Sequence, residues 1–334
     1  MLRTLFQRPA LLIGLSLFPV MINGCVVQDI GTTVEHSFKG DYYLSTEKYK
    51  QGRQSFAQEV ADNPDSALAN YYYGRFLLED EDYKLAFLHL SKARELDSEN
   101  AEYHFWAGLA AGGLGDGKSE EAGYRKALQI DENHLQSLIN LGHIELQKKR
   151  YQEALDLYSR ALEIAPDSPS ALYNRSLILH QLGRSPEERR AWLAYLWRYP
   201  SGAMARQATD YLNMLGDFTF RNHRLGALTV TTEKIWFEPF SSTLDASSNE
   251  SLNVIGANFD NLGKGTLQIV VYQKNNKDLA REKAHVIKRY LLEEFPALEP
   301  NTIGISWFAE PHKLTIKKRN LTTDESVSFF VTAK

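Results

Sequence analysis

The sequence predicts an α-helical solenoid followed by a smaller α+β domain. Three observations carry this. A set of small and large residues recurs every 34 positions over roughly 33–202. The apolar pattern changes from helical to short β-branched and aromatic runs after Gly216. The chain has 334 residues, 43% hydrophobic and 24% charged, which suits about two globular domains. The expected organisation is a signal segment over 1–24, a tether over 25–32, five repeats with a capping helix over 33–215, and an α+β domain over 216–334.

The repeat is read first, because a fixed period decides the architecture. Gly142, Ala154, Tyr158, Ala161 and Pro166 serve as a template. One step back lie Gly108, Glu120, Tyr124, Ala127 and Glu132, and a second step gives Gly74, Ala86, Leu90, Ala93 and Ser98. A third gives Gly40, Gly52, Phe56, Glu59 and Pro64. One step forward lie Ser176, Glu188, Trp192, Tyr195 and Pro200. Small residues let two helices of a hairpin approach, and the large residue fills the space left on the next turn. Pro166 cannot continue a helix and marks the passage to the next repeat. The pattern resembles the tetratricopeptide repeat (TPR), most closely over 135–168, where Leu141-Gly142, Tyr151, Ala154, Tyr158, Ala161 and Pro166 fall at family positions. Repeats 33–66 and 169–202 are the least regular, as end repeats should be, and 203–215 reads as the cap.

The resemblance implies that one face of the first helix of each repeat lines a groove for a partner protein. Repeat position 5 gives Tyr71, Phe105, Ile139 and Tyr173, and position 9 gives Arg75, Leu109, His143 and Leu177. Position 12 gives Leu78, Gly112, Leu146 and His180. An uncovered apolar and aromatic stripe with an occasional Arg is the expected protein-binding surface.

The first residues suit a secretory signal: Arg3 and Arg8, then an apolar run from Ala10 to Ile22 broken by Gly14, Ser16 and Pro19. Ile22-Asn23-Gly24-Cys25 resembles the lipobox of bacterial lipoproteins, although Asn23 stands where that family usually has a small residue. The resemblance implies cleavage before Cys25 and lipidation of its sulfur and amino group. Several acyl chains make such an anchor stable, at about 0.8 kcal/mol per buried methylene. Val26 rather than Asp implies delivery to the inner leaflet of the outer membrane, facing the periplasm. Cys25 is the one cysteine, so no disulfide forms within the chain.

After Gly216 the expected strands are 218–221, 228–231, 234–237, 266–272, 303–308 and 327–331, with helices over 247–262 and 278–295. From Ile235-Trp236-Phe237 through LQIVV and LAREKAHVIKRYL to SWFAEP, residues 230–332 resemble the OmpA-like peptidoglycan-associated domain, a βαβαββ fold. In that family an Asp and an Arg grip the cell-wall peptide. Lys274 and Lys283 stand near those positions here, which the resemblance reads as degenerate. A base in place of the acid reverses the charge, and Lys lacks the fork of Arg.

Catalytic signals are thin. Residues 112–119, GGLGDGKS, fit the phosphate-loop pattern, with Lys118 as its cation, but the repeat register places a helix before them where that loop needs a strand. No HExxH and no G-x-S-x-G occurs. Net charge −4 and pI near 6.2 give no electrostatic case for nucleic acid. The expectation is a non-enzymatic outer-membrane lipoprotein scaffold, without a cofactor or metal. Its repeats would bind a protein of an envelope assembly, such as a pilus, secretion or polysaccharide export system. A peptidoglycan tether through the C-terminal domain is the first alternative, and a nucleotide hydrolase using Lys118 the second.

Overall fold

The computed structural model describes residues 37–332. The expected signal segment and tether, with Cys25, lie outside the described residues. The chain divides into two compact units, Met1–Gly123 and Tyr124–Lys334.

The first unit is all-helical as described. Helix α1 covers residues 37–45. It is followed by α2 (Tyr49–Asp62), α3 (Ala67–Glu79), α4 (Tyr83–Leu96), α5 (Ala101–Gly113) and the start of α6 (Gly117–Ile130). Each helix packs on the next from α2 to α5. The starts are set by polar side chains that satisfy orphan N–H groups: Ser66 accepts from Ala69, Asp82 from Leu85 and Asn100 from Glu102. The core holds Phe56, Tyr72, Phe76, Leu77, Ala86, Leu90 and Ala93, all buried. Helices α5 and α6 touch most closely at Gly123, where an added Cβ would sit 2.7 Å from the Gly108 Cα.

The second unit continues the hairpins and ends in a sheet. Its helices are α7 (Leu135–Gln147), α8 (Tyr151–Ile164), α9 (Pro169–Gln181), α10 (Ser185–Arg198) and α11 (Gly202–Met214). The α+β part contains β1 (Phe220–Leu225), β2 (Leu228–Glu233), α12 (Ser248–Leu262), β3 (Thr266–Gln273), α13 (Lys277–Glu294), β4 (Ile303–Phe308), β5 (His312–Ile316), β6 (Arg319–Thr323) and β7 (Glu325–Thr332). The strand order is β2-β1-β7-β3-β4, with β5 and β6 as a separate hairpin. Strands β1–β2 and β3–β7 run antiparallel, and β1–β7 and β3–β4 parallel. One buried cluster unites Leu252, Ile255 and Phe259 of α12, Ala284, Ile287 and Leu291 of α13, and Leu267, Ile269, Val271 and Phe329 of the sheet. The predicted solenoid and following α+β domain are both present.

The compact boundary falls inside α6, not at residue 216. In a solenoid each hairpin touches only its neighbours, so contacts thin out between repeats. The cap α11, by contrast, is fastened to the sheet. The Asn213 side chain donates to the carbonyls of Asp217 and Phe220, both at 2.8 Å. That of Asn222 donates to the Arg206 carbonyl at 2.9 Å and the Asp210 carboxylate at 3.0 Å.

Two local expectations change. Residues 234–237 form no strand: the Trp236 N–H donates to the Ser248 hydroxyl at 2.7 Å, and the Trp236 carbonyl accepts from that hydroxyl at 2.9 Å. The β5–β6 hairpin was absent from the sequence reading. Its turn residues, Lys317 and Lys318, have φ of 45° and 68°. Two-residue hairpin turns need this conformation, but Asn-Gly rather than Lys-Lys is its usual signature.

Candidate partner-binding faces

In the first unit, α3 and α5 are the first helices of successive repeats. Tyr71 and Phe105 are not open to solvent as the stripe reading expected; they are 7% and 3% exposed. Each ring is tucked in by the same or the next helix. Tyr71 lies 5.0 Å from the Tyr103 ring and 4.9 Å from that of Tyr72, and Phe105 lies 5.2 Å from Trp106. Burial pushes the Tyr71 hydroxyl up to about 12, against the opposing pull of Arg75. Leu109 and Leu78 are half-buried, and Gly112 lies in the last turn of α5.

Arg75 is the distinctive group on this face. Its guanidinium lies 4.0 Å over the Trp106 ring and donates from Nη1 to the Tyr71 hydroxyl at 3.0 Å. Its buried Nε has no hydrogen-bond partner among the described residues. Trp106 is in turn held by a 2.7 Å bond from Nε1 to the Glu102 carboxylate. The result is a pre-oriented, half-buried cation on an aromatic shelf. Trp106 sits at repeat position 6, one step off the positions the resemblance marks, so the sequence reading passed over it.

In the second unit, α7 and α9 carry the remaining candidates, and most are satisfied internally. His143 shares a 3.0 Å hydrogen bond with the Ser170 hydroxyl, and burial lowers its pKa. His180 lies 2.8 Å from the buried carboxylate of Glu188, which also accepts from the Trp192 indole at 3.2 Å. Tyr173 is 8% exposed rather than open; its hydroxyl bonds Gln207, and burial raises it to about 12. Ile139 and Leu146 are half-buried against one apolar cluster and Leu177 against another. His143 and His180 thus have separate partners, and no group of three or more metal-ligating side chains occurs among the described residues.

The phosphate-loop match is a hairpin turn. Helix α5 precedes it, the turn spans Leu114 to Asp116, and α6 begins at Gly117. The N–H groups of Gly115 and Asp116 are already bonded to the carbonyls of Gly112 at 2.9 Å and Ala111 at 3.0 Å. Asp116 takes the Ser119 N–H at 3.1 Å and its hydroxyl at 2.6 Å. Donors that would wrap a phosphate are spent on closing one helix and opening the next.

Lys274 and Lys283 both face acids of the chain itself. Lys274 pairs with Asp324 at 3.2 Å. Lys283, 3% exposed, donates to Gln273 at 2.8 Å and Glu325 at 3.0 Å, and lies 4.6 Å over the Phe237 ring. The Lys283 ammonium therefore serves the domain's own packing.

Comparison with known proteins matches this geometry to its repeats. Family models described as tetratricopeptide repeat and TPR repeat match residues 39–101 and 142–183. The photosystem I assembly protein Ycf3 of Acaryochloris marina is 33% identical over 94 residues, covering 27% of this chain and 57% of that protein. The human protein O-mannosyl-transferase TMTC3 is 34% identical over 90 residues, covering 26% of this chain and 10% of that protein. The chain thus spans little more than half, or far less, of the curated relatives it matches. Among solved structures, pilF of Pseudomonas aeruginosa superposes with a TM-score of 0.50 at 18% identity, over 55% of this chain and 84% of that one. The repeats are TPR repeats, and both matching family models describe that repeat.

Proposed function

We propose that the chain is a non-enzymatic scaffold of the bacterial cell envelope, anchored by lipid at Cys25, whose repeats hold a segment of a partner protein in an envelope assembly such as a pilus, secretion or polysaccharide export system. The observation that carries the reading is Arg75: a half-buried cation stacked on Trp106 and hydrogen-bonded to Tyr71 on the α3–α5 face. A planar guanidinium held in this way offers directed donors to a carboxylate or backbone carbonyl of an incoming peptide. The flanking Leu109 and Leu78 add half-buried apolar surface. The name of the Ycf3 relative, an assembly protein, supports the same kind of role. The lipobox-like Ile22–Cys25 segment supports the location.

Affinity capture from detergent-solubilised envelopes tests the binding. The parent chain should recover a specific protein, and Arg75→Ala or Trp106→Ala should reduce its recovery at least about tenfold, as loss of a binding hot spot does. Equal recovery by both variants would remove Arg75 from the reading. Cell fractionation tests the anchor separately: Cys25→Ser should move the chain from membrane to soluble fractions.

A further inference from the structure

We propose that the cleft between the starts of β1 and β7 is an anion site, in which Arg221 and Lys234 hold one compact monovalent anion, chloride or the carboxylate of a small acid. The cleft is lined by Phe218, Arg221, Lys234, Glu325, Ser326 and Val327, among others. Arg221 is 7% exposed, yet its guanidinium has no hydrogen-bond or ion-pair partner among the described residues. The guanidinium lies 5.4 Å over the Phe218 ring. The Lys234 ammonium rests 3.4 Å over the Trp236 ring and makes no direct ion pair among the described residues, although Glu325, Asp217 and Glu233 act on its charge from further off. A guanidinium in a mostly buried residue with no carboxylate paired to it is a natural seat for an anion.

The acids nearby are engaged elsewhere. Glu325 lines the cleft but takes the Lys283 ammonium at 3.0 Å. Glu233 accepts from the Trp236 indole at 2.8 Å, Asp217 lies 3.9 Å from Arg189, and Asp324 pairs with Lys274. Two imidazoles feel the Arg221 charge. Burial first, and the Arg221 charge second, push His223 down to about 3 and His312 to about 4, so both stay neutral near pH 7. His312 is bonded at 2.6 Å to the Ser326 hydroxyl, which stands at the cleft as a further polar group.

Size and position narrow the ligand and its effect. The cleft is narrow, with room for one small ion rather than a phosphate ester. The seam it would close is weak: β1 and β7 share one register pair, Arg224 with Phe330, whereas β3 and β7 run paired from Thr266–Thr332 to Gln273–Glu325. An anion held by Arg221 of β1 and by Lys234 after β2, beside Ser326 of β7, fastens that seam.

The test is thermal unfolding of the full chain with sodium chloride and sodium acetate titrated separately, ionic strength being held with bulkier methanesulfonate. Chloride, acetate or both should raise Tm saturably, by about 5 °C at saturation, and the arm that does so identifies the ligand. Arg221→Met should abolish the rise and Lys234→Met should weaken it. No saturable rise in the parent, or the same rise in Arg221→Met, overturns the site. Should Arg221→Met not fold, crystals of the parent grown in bromide decide. An anomalous peak within hydrogen-bonding distance of the Arg221 guanidinium sustains the proposal, and its absence refutes it.

Discussion

At Gly123 one added methyl group meets backbone, 2.7 Å from the Gly108 Cα and 2.8 Å from the His104 carbonyl. Neither can yield without moving a helix. Gly123→Ala is expected to destabilise the first unit by about 2–3 kcal/mol, read from denaturant midpoints. At Gly142 the same methyl meets ring atoms of Tyr158 at 3.0–3.2 Å. A ring can shift by tenths of an ångström, and Ala favours helix, so Gly142→Ala should stay within about 1 kcal/mol of the parent. Gly142 was visible as a repeat position and Gly123 was not; nor was it visible that one faces a ring and the other backbone. A second residue-scale prediction concerns His223. Its Nδ1 accepts the Phe329 N–H at 3.3 Å, and burial with the Arg221 charge lowers its pKa to about 3. The unfolded imidazole takes a proton near pH 6.5 while the folded one does not. Its contribution is therefore complete above pH 6.5 and is lost as pH falls towards 3. Between pH 6.5 and 5 the second unit should lose about 2 kcal/mol through this group. His223→Gln should show a shallower slope in urea melts across that window.

The helix hairpins were legible because their period repeats, whereas single elements of the α+β part depended on local signals. The β3 run LQIVV and the α13 stripe were plain, and both are present. The β5–β6 hairpin was hidden by its Lys-Lys turn, and the absent strand at 234–237 was decided by Ser248, twelve residues beyond Trp236. Long-range competition for backbone groups leaves no periodic trace. The joint between α11 and β1 is of the same kind. Asn213, 3% exposed, satisfies two carbonyls across the turn. Asn213→Leu strands both, at a cost of about 1–3 kcal/mol. Limited proteolysis should then cut residues 215–219 sooner than in the parent, whereas Asn258→Leu, at a half-buried helix position of α12, should leave that cleavage unchanged.

At the scale of the whole molecule the sequence declared the repeats and the change of class near Gly216, but not which face positions remain available. Position 5 of a repeat reads as groove, yet Tyr71, Phe105 and Tyr173 are closed over by rings on their own and neighbouring helices. Position 9 fares differently at each repeat: Arg75 stacks on Trp106 and bonds Tyr71, while His143 spends its Nε2 on Ser170. Burial depends on what the adjoining repeat places opposite, so a single repeat cannot reveal it. Partner binding is accordingly expected on the α3–α5 face. A photoreactive amino acid placed in living cells at Arg75 or Leu109 tests this most directly, with Leu88, 60% exposed on α4, as the control. Specific adducts with one envelope protein from 75 and 109, and none from 88, are expected. Adducts from 88 alone, or equal yields from all three positions, would contradict it.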